Sequence, residues 1–331
     1  MINESELLNQ LRVAANPTEL SGRASWPTLA AIAFDWSVIA LAIAAMYLFR
    51  WWLHPFLLLL IASRQHALVV LMHDASHFLF CRNKAWNDLI SDVFCALPFG
   101  FVTASYRASH IPHHEHLNTD KDPDLIRKVG PDGHADDWLF PLPLHRAIWL
   151  FSRDLMGRGF VEVFTALRLF SRNGRKSSTR AEYPLPLAVR LGFPALLLIA
   201  LVLSRNALFF LYAWLVPLFL ILPAILRLRS VAEHFALPKN HFLNESRTIQ
   251  VPWWEAFFLA PHHVSLHLDH HLFPYVPWYR LPKLHARLLT NDKYRSHAHI
   301  NSSYLLGPNS VLANIMHIHD DPRVGMRTVS S

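Results

Sequence analysis

The sequence predicts an all-α integral membrane protein, with four transmembrane helices in two hairpins and a cytoplasmic helical cap. Three observations lead to this prediction. Hydrophobic residues make up 52% of the 331 residues and charged residues only 17%, whereas a soluble domain carries about 25% charged residues. Long apolar runs occur in two pairs, and the 22 histidines are grouped rather than scattered.

The first hairpin is predicted from two apolar runs near the N-terminus. Residues 1–27 are polar, carry no cleavable signal peptide and are expected to form a cytoplasmic N-terminal segment. Thr28–Phe49 is interrupted only by Asp35 and is long enough to cross a bilayer, which needs about 20 residues. Leu53–Met72 follows and contains Arg64, so part of this second helix should face protein rather than lipid.

The segment after the first hairpin is less apolar. Leu89–Ala104 is short and contains Pro98, which predicts a re-entrant or interfacial helix rather than a span. Between Asp120 and Glu182, apolar clusters alternate with arginines, a pattern typical of helices that lie on a membrane surface. Arg172–Arg180 is predicted to be a basic loop.

The second hairpin is predicted from Leu187–Leu203 and Ala207–Leu226, which only Ser204–Asn206 separates. Lys and Arg number twelve in residues 105–186, eleven in residues 227–331 and one in the joint. The positive-inside rule therefore places both termini and the middle segment in the cytoplasm, most simply at an inner or cell membrane. The net charge of +7 flanks apolar spans, so we expect no nucleic acid partner.

Three histidine clusters follow the predicted spans, and the topology puts them on the same side of the membrane. Within each cluster the spacing is three or four residues, which places the imidazoles on one face of a helix. The clusters are His73 and His77; His110, His113 and His114; and His267, His270 and His271. Because proline is poorly tolerated inside a helix, Pro112 suggests that the second of these helices begins near His110.

Eight imidazoles are too many for one metal ion of about four to six ligands and fit two. Imidazole binds several metals, but a catalytic zinc usually has three protein ligands, so a redox pair of iron ions is favoured. Asp74, Glu115 and Asp269 lie between the histidines and are expected to accept the other ring N–H groups. Most of the remaining histidines are expected to be ordinary surface or core residues. His116, His262 and His263 lie beside the clusters and are expected to be solvated or to contact a ligand without binding metal. The two cysteines receive no role.

Two other classes of membrane protein also use histidines to bind metals. A membrane zinc protease would use His73 and His77, but Asp74 stands where its motif requires glutamate. A histidine-lined metal transporter would place polar residues at mid-membrane depth, whereas the clusters lie at or beyond the ends of the predicted spans.

These motifs in this order resemble the membrane fatty acid desaturase superfamily. The resemblance extends to Asn118–Asp124 after the second cluster and to His271–Pro274 in the third, and covers residues 28–290. Residues 291–331 would then form a cytoplasmic C-terminal tail. Glu233-His234 resembles an additional ligand motif of bacterial members, which makes His234 a ninth candidate ligand.

The resemblance implies an enzyme that uses two iron ions, O2 and external electrons to introduce a double bond into a fatty-acyl chain. The same superfamily includes hydroxylases, carotenoid ketolases and hydroxylases, and decarboxylating alkene-forming enzymes. The chain contains no Gly-rich flavin or nicotinamide fingerprint, so a separate ferredoxin, cytochrome or reductase is expected to donate electrons. The spans would give a lipid substrate access to the metals.

Overall fold

The computed structural model describes residues 3–130, 135–162, 164–165, 185–238 and 240–317. The protein is mostly helical, as predicted, and divides into two compact units. Unit 1 comprises Met1–Gly22, His116–Leu150 and Leu228–Ser331, and unit 2 comprises Arg23–Glu115 and Phe151–Arg227.

The helices are named here in chain order, with shorter turns described separately. The first eight are α1 Glu4–Ala15, α2 Pro17–Leu20, α3 Ser25–Leu48, α4 His54–Ser76, α5 Lys84–Ser91, α6 Thr103–Glu115, α7 Pro123–Val129 and α8 Leu144–Leu155. The others are α9 Leu187–Leu203, α10 Ala207–Val216, α11 Leu222–His234, α12 Trp253–Phe258, α13 His267–Leu272, α14 Leu281–Leu288, α15 Asp292–His297 and α16 Val311–His317. The strands are β1 Arg247–Ile249 and β2 His299–Asn301.

Helices α3 and α4 of unit 2 correspond to the first predicted pair of spans. Both begin and end within a few residues of the apolar runs, but α4 continues one turn past Met72 to Ser76. His73 therefore lies in the last turn of α4, and His77 directly follows it. A buried ion pair joins the two helices, with Arg64 Nη1 3.0 Å from Asp35 Oδ1.

The segment predicted as a re-entrant or interfacial helix, Leu89–Ala104, is a broken helical element. Helix α5 continues through a π-helical turn and a 3-10 turn to Phe99, and α6 then starts at an angle of 94°. Gly100 permits the break because its φ of 80° lies in the left-handed region. The backbone N–H of Thr103 donates to Asp92 Oδ1 at 2.6 Å, which satisfies one free donor at the start of α6.

Pro112 does not mark the start of α6. The helix begins two turns earlier, at Thr103, and includes Pro112 near its C-terminal end. The expectation that the helix begins near His110 is therefore wrong. Tertiary contacts of the residues before the proline outweigh the single backbone hydrogen bond that proline removes.

The second predicted pair of apolar runs also forms helices. Helix α9 matches Leu187–Leu203, whereas the next helical segment continues past Leu226 to His234, through a π-helical turn at Pro217–Ile221. Among the described residues, three segments are long and apolar enough to cross a membrane: Ser25–Leu48, Trp51–Ser76 and Ala207–His234. The bent pair α5–α6 would make a fourth, and α9 is shorter than a full span. Their arrangement in a bilayer stays a prediction, and the predicted loop Arg172–Arg180 lies outside the described residues.

Unit 1 has an apolar core to which both ends of the chain contribute. Asn3 caps α1, whose Leu7 and Leu11 are buried against residues of α14. On the C-terminal side, Tyr294 of α15 is completely buried in the same core. Residues 3–22 and 291–317 thus belong to unit 1.

A short parallel sheet in unit 1 departs from the all-α expectation. Strand β1 pairs with β2 in the register Arg247↔His299 to Ile249↔Asn301. All three residues of β1 are buried. Strands of three residues carry too little alternation to be distinguished from loops in the sequence.

Candidate metal centre

Four imidazoles of unit 2 converge where α4 and α6 meet. His77 Nε2 lies 2.9 Å from His110 Nε2, and His114 Nε2 lies 3.0 Å from the same atom. The ring of His73 is centred 4.4 Å from that of His110. One ring nitrogen from each of the four histidines lies within 4.8 Å of the others, so four of the five histidines of the first two predicted clusters meet in this unit.

The distances around His110 fit a metal better than a hydrogen-bond network. In its ring plane an imidazole Nε2 carries either one proton or one lone pair. A single Nε2 therefore cannot make well-directed hydrogen bonds to two other ring nitrogens at once. A cation at the point of convergence can accept one lone pair from each ring, which is the arrangement that transition metals require of histidine ligands.

A second convergence occurs in unit 1, between the end of α11 and the start of α13. His267 Nε2 lies 3.0 Å from His234 Nε2 and 3.1 Å from His271 Nε2. Glu233 brings a carboxylate oxygen to 3.5 Å from the same nitrogen. Unit 1 thus repeats the pattern of unit 2, with an acidic oxygen added to its three imidazoles.

Glu233 is the member of this set that the sequence interpretation missed. Its other carboxylate oxygen lies 2.5 Å from Arg229 Nε, one helical turn earlier. The sequence signal for Glu233 is its position directly before His234. The motif Glu233-His234 indicated only the histidine as a candidate ligand.

Within their own units, His113 and His270 lie at the edge of the group of converging imidazoles. The ring of His113 is centred 5.9 Å from His110 and 5.8 Å from His114. His270 has the same relation to its helix, at 5.9 Å from both His267 and His271. Both side chains are buried.

Arg107 of α6 holds the histidine-bearing end of α4. Its guanidinium donates from Nε to Ser76 O at 2.8 Å and from Nη2 to Ala75 O at 3.0 Å. It also forms a two-point ion pair with Asp88, at 2.6 and 3.0 Å. Because the last carbonyls of a helix lack partners inside the helix, this arginine fixes the backbone on which His73 and His77 are carried.

The three carboxylates inside the clusters have different surroundings. Asp74 Oδ1 lies 3.9 Å from His73 Nδ1, and Glu115 is exposed. Asp269 is completely buried, accepts a hydrogen bond from Tyr294 Oη, and lies 2.9 Å from His285 Nδ1. Burial and the neighbouring carboxylate both raise the pKa of Tyr294, so its hydroxyl stays a donor.

His285 therefore differs from the ordinary role expected of it. It lies between Asp269 and Gln250, whose Nε2 is 2.9 Å from His285 Nε2.

Tyr106 is a further residue that the sequence did not single out, with its hydroxyl 3.4 Å from His110 Nδ1. His262 and His263 pack against Trp278. His134 and His319 lie outside the described residues.

Comparison with known proteins points to one family. The profile of the family described as fatty acid desaturase matches residues 49–303. The chain is 29% identical to a dihydrorhizobitoxine desaturase of Bradyrhizobium elkanii, over 76% of this chain and 72% of the relative. It is 28% identical to a human sphingolipid delta(4)-desaturase/C4-monooxygenase, over 66% and 60% of the two chains. A zeaxanthin 4-ketolase of Chlamydomonas reinhardtii is 26% identical, over 65% of this chain but 40% of the ketolase.

Proposed function

Because the chain belongs to the fatty acid desaturase family, we propose that it is a membrane-bound oxidoreductase that introduces a double bond into a fatty-acyl chain. The observation that carries the proposal is the pair of nitrogen convergences at His110 and His267. Each lies beside the end of an apolar helix long enough to cross a membrane, at Ser76 and at His234. A lipid chain could approach each site along such a helix without crossing water.

We propose that the chain binds two iron ions, and that its histidines hold and orient them. The proposed ligands are His73, His77, His110, His113, His114, His234, His267, His270 and His271. When bound, the iron pair would supply the activation of O2 that removal of hydrogen from an unactivated methylene requires. Asp74, Glu115 and Asp269 are proposed to orient imidazoles without ligating, and Asp269 would do so for α13 through His285 and Tyr294.

Oxygen insertion is the second candidate reaction at the same site. The names of two relatives favour it, since one is a desaturase/C4-monooxygenase and another a ketolase. Both outcomes begin with loss of hydrogen from the substrate carbon, so the position of that carbon would decide between them. A separate electron donor, either ferredoxin, cytochrome or reductase, is proposed to act from the cytoplasmic side of an inner or cell membrane.

The test is lipid profiling combined with metal analysis. Full-length protein is expressed in a host membrane, and lipids are compared by mass spectrometry with those from cells expressing His77→Ala. His145→Ala is the matched control, because this exposed histidine lies outside all three histidine clusters. We expect new unsaturated products with wild type and the control only, and about two irons per purified chain. One bound zinc, or readily exchanged mixed metals with no lipid product, would contradict the proposal.

A further inference from the structure

A short segment of unit 1 contacts both helices that carry its histidine convergence. This segment, Ser246–Ile249, is called the clamp segment here. Towards α11, Ser246 Oγ donates to Glu233 O at 3.0 Å. Towards α13, Thr248 forms an antiparallel bridge with Leu266, and the N–H of Ile249 donates to Ser265 O at 2.8 Å. The clamp segment thus connects the residue before His234 with the residues before His267.

Arg247 makes the central contact of the clamp segment. Its Nη2 donates to Phe235 O at 3.3 Å and to Ala236 O at 3.0 Å. These carbonyls directly follow His234, where α11 ends and where helix carbonyls lack partners of their own. Ala236 adopts a positive φ of 54°, so the chain leaves the helix in a sharp turn that these hydrogen bonds hold in place.

The surroundings of Arg247 argue against a role in stability alone. Its side chain is completely buried, and among the described residues it has no carboxylate partner and no hydrogen bond at Nε or Nη1. Burial lowers its pKa to about 9. Because burying an unpaired cation is unfavourable, an apolar side chain at this position would serve stability at least as well. A planar guanidinium adds a fixed direction for its N–H groups, which an apolar residue lacks.

We propose that Arg247 is a positioning residue that sets His234 against His267 and His271 so that the three imidazoles bind one metal ion. The proposal rests on the metal-dependent function proposed above. Arg107 has the corresponding relation to the end of α4 in unit 2, where it donates to Ala75 O and Ser76 O. Loss of the Arg247 guanidinium should therefore weaken the metal ion in unit 1 and leave the one in unit 2 in place.

Arg287 provides a matched control. It too donates to two backbone carbonyls at a helix end, Ala15 O at 3.1 Å and Asn16 O at 3.4 Å. That helix is α1, which carries no candidate ligand. Arg287→Met removes the same kind of contact from the same unit, together with an ion pair to Glu19, so it shows what loss of a carbonyl-binding arginine does to folding without a role at the metals.

The experiment compares wild type with Arg247→Met, Arg247→Lys and Arg287→Met as full-length proteins in detergent. Each is stripped of metal, titrated with Co(II) followed by its absorption spectrum, and then loaded with iron for elemental analysis. We expect two metals in wild type and Arg287→Met, and about one in Arg247→Met. Arg247→Lys keeps the positive charge and with it the fold. In this variant the metal ion of unit 1 should bind about 10–100-fold more weakly than in wild type.

The outcomes separate this inference from the function on which it rests. Two tightly bound metals in both Arg247 variants would overturn the positioning role and leave the proposed function standing. An equal loss of metal in Arg287→Met and Arg247→Met would also overturn it, because the effect would then be one of general stability. Failure of wild type to bind two metals would overturn the proposed function itself, and the positioning role with it.

Discussion

Replacing Arg107 with methionine should destabilise unit 2 strongly. The change keeps most of the apolar stem and removes every charged contact. These are the two-point ion pair with Asp88 and the hydrogen bonds to Ala75 O and Ser76 O. The guanidinium also stacks on the ring of Phe78, at 3.7 Å from its centre. The methionine variant therefore leaves the buried Asp88 carboxylate without its cation and Ser76 O without the arginine donor, although Asn87 Nδ2 still donates to Asp88 Oδ1 and to Ala75 O.

The size of the effect follows from burial. The side chains of Arg107 and Asp88 are 15% and 4% exposed, so water screens the pair little. Removing one partner of a buried ion pair costs about 3–5 kcal/mol, and we expect the free energy of unfolding of Arg107→Met to fall by that amount. Arg107→Lys keeps a charge but loses the planar fork, and should cost about 1.5–3 kcal/mol, the range for hydrogen bonds to charged groups.

The assay is reversible denaturation of the purified protein in mixed micelles, applied to Arg107→Met, Asp88→Asn and the double variant. Because the two groups contact each other, the double variant should lose less than the sum of the single losses, with a coupling of about 0.5–3 kcal/mol. Two results would refute the reasoning: a loss below about 1 kcal/mol for Arg107→Met, or strict additivity in the double variant.

Three further outcomes are expected. His77→Ala should abolish product formation and reduce bound metal while the protein stays folded, whereas His145→Ala should leave both unchanged; full activity in the first would refute the ligand assignment. Arg287 lowers the pKa of Glu19 by a hydrogen bond and by its charge, so this contact stabilises the fold above the ordinary pKa of glutamate and is lost as pH falls through the lowered value. Glu19→Gln should remove that part of the acid sensitivity, which pH-dependent thermal unfolding measures, and an unchanged profile would contradict it. A reporter fused after Ser331 should behave as cytoplasmic, and an external signal would mean that the predicted topology is wrong.

The helices and the histidine clusters were predictable because both follow local rules. Apolar length alone placed α9, and it placed α3 and α4 to within about a turn. Spacing of three and four residues anticipated that His110 and His114 would converge, and the structure adds the nitrogen distances. The composition did not predict the bend at Gly100. This bend depends on a contact between two helices, in which Asp92 caps the helix that follows the break.

What escaped prediction depends on contacts between residues far apart in the chain. The strand at Arg247 pairs with one about fifty residues later, and no periodicity in three residues signals that. Glu233 becomes a candidate ligand only because α11 ends beside α13. Pro112 was misinterpreted because a local preference was given more weight than the packing of the rest of α6.

The buried ion pair between Asp35 and Arg64 has a consequence for how the protein enters its membrane. Alone in a bilayer, α3 would carry an isolated carboxylate and α4 an isolated guanidinium, and each costs about 2.5–3.5 kcal/mol near a helix centre on translocon-insertion scales. The two charges lie 3.0 Å apart in the folded protein. Insertion of the two helices as a pair avoids both costs, so biogenesis should favour holding α3 at the translocon until α4 has been synthesised.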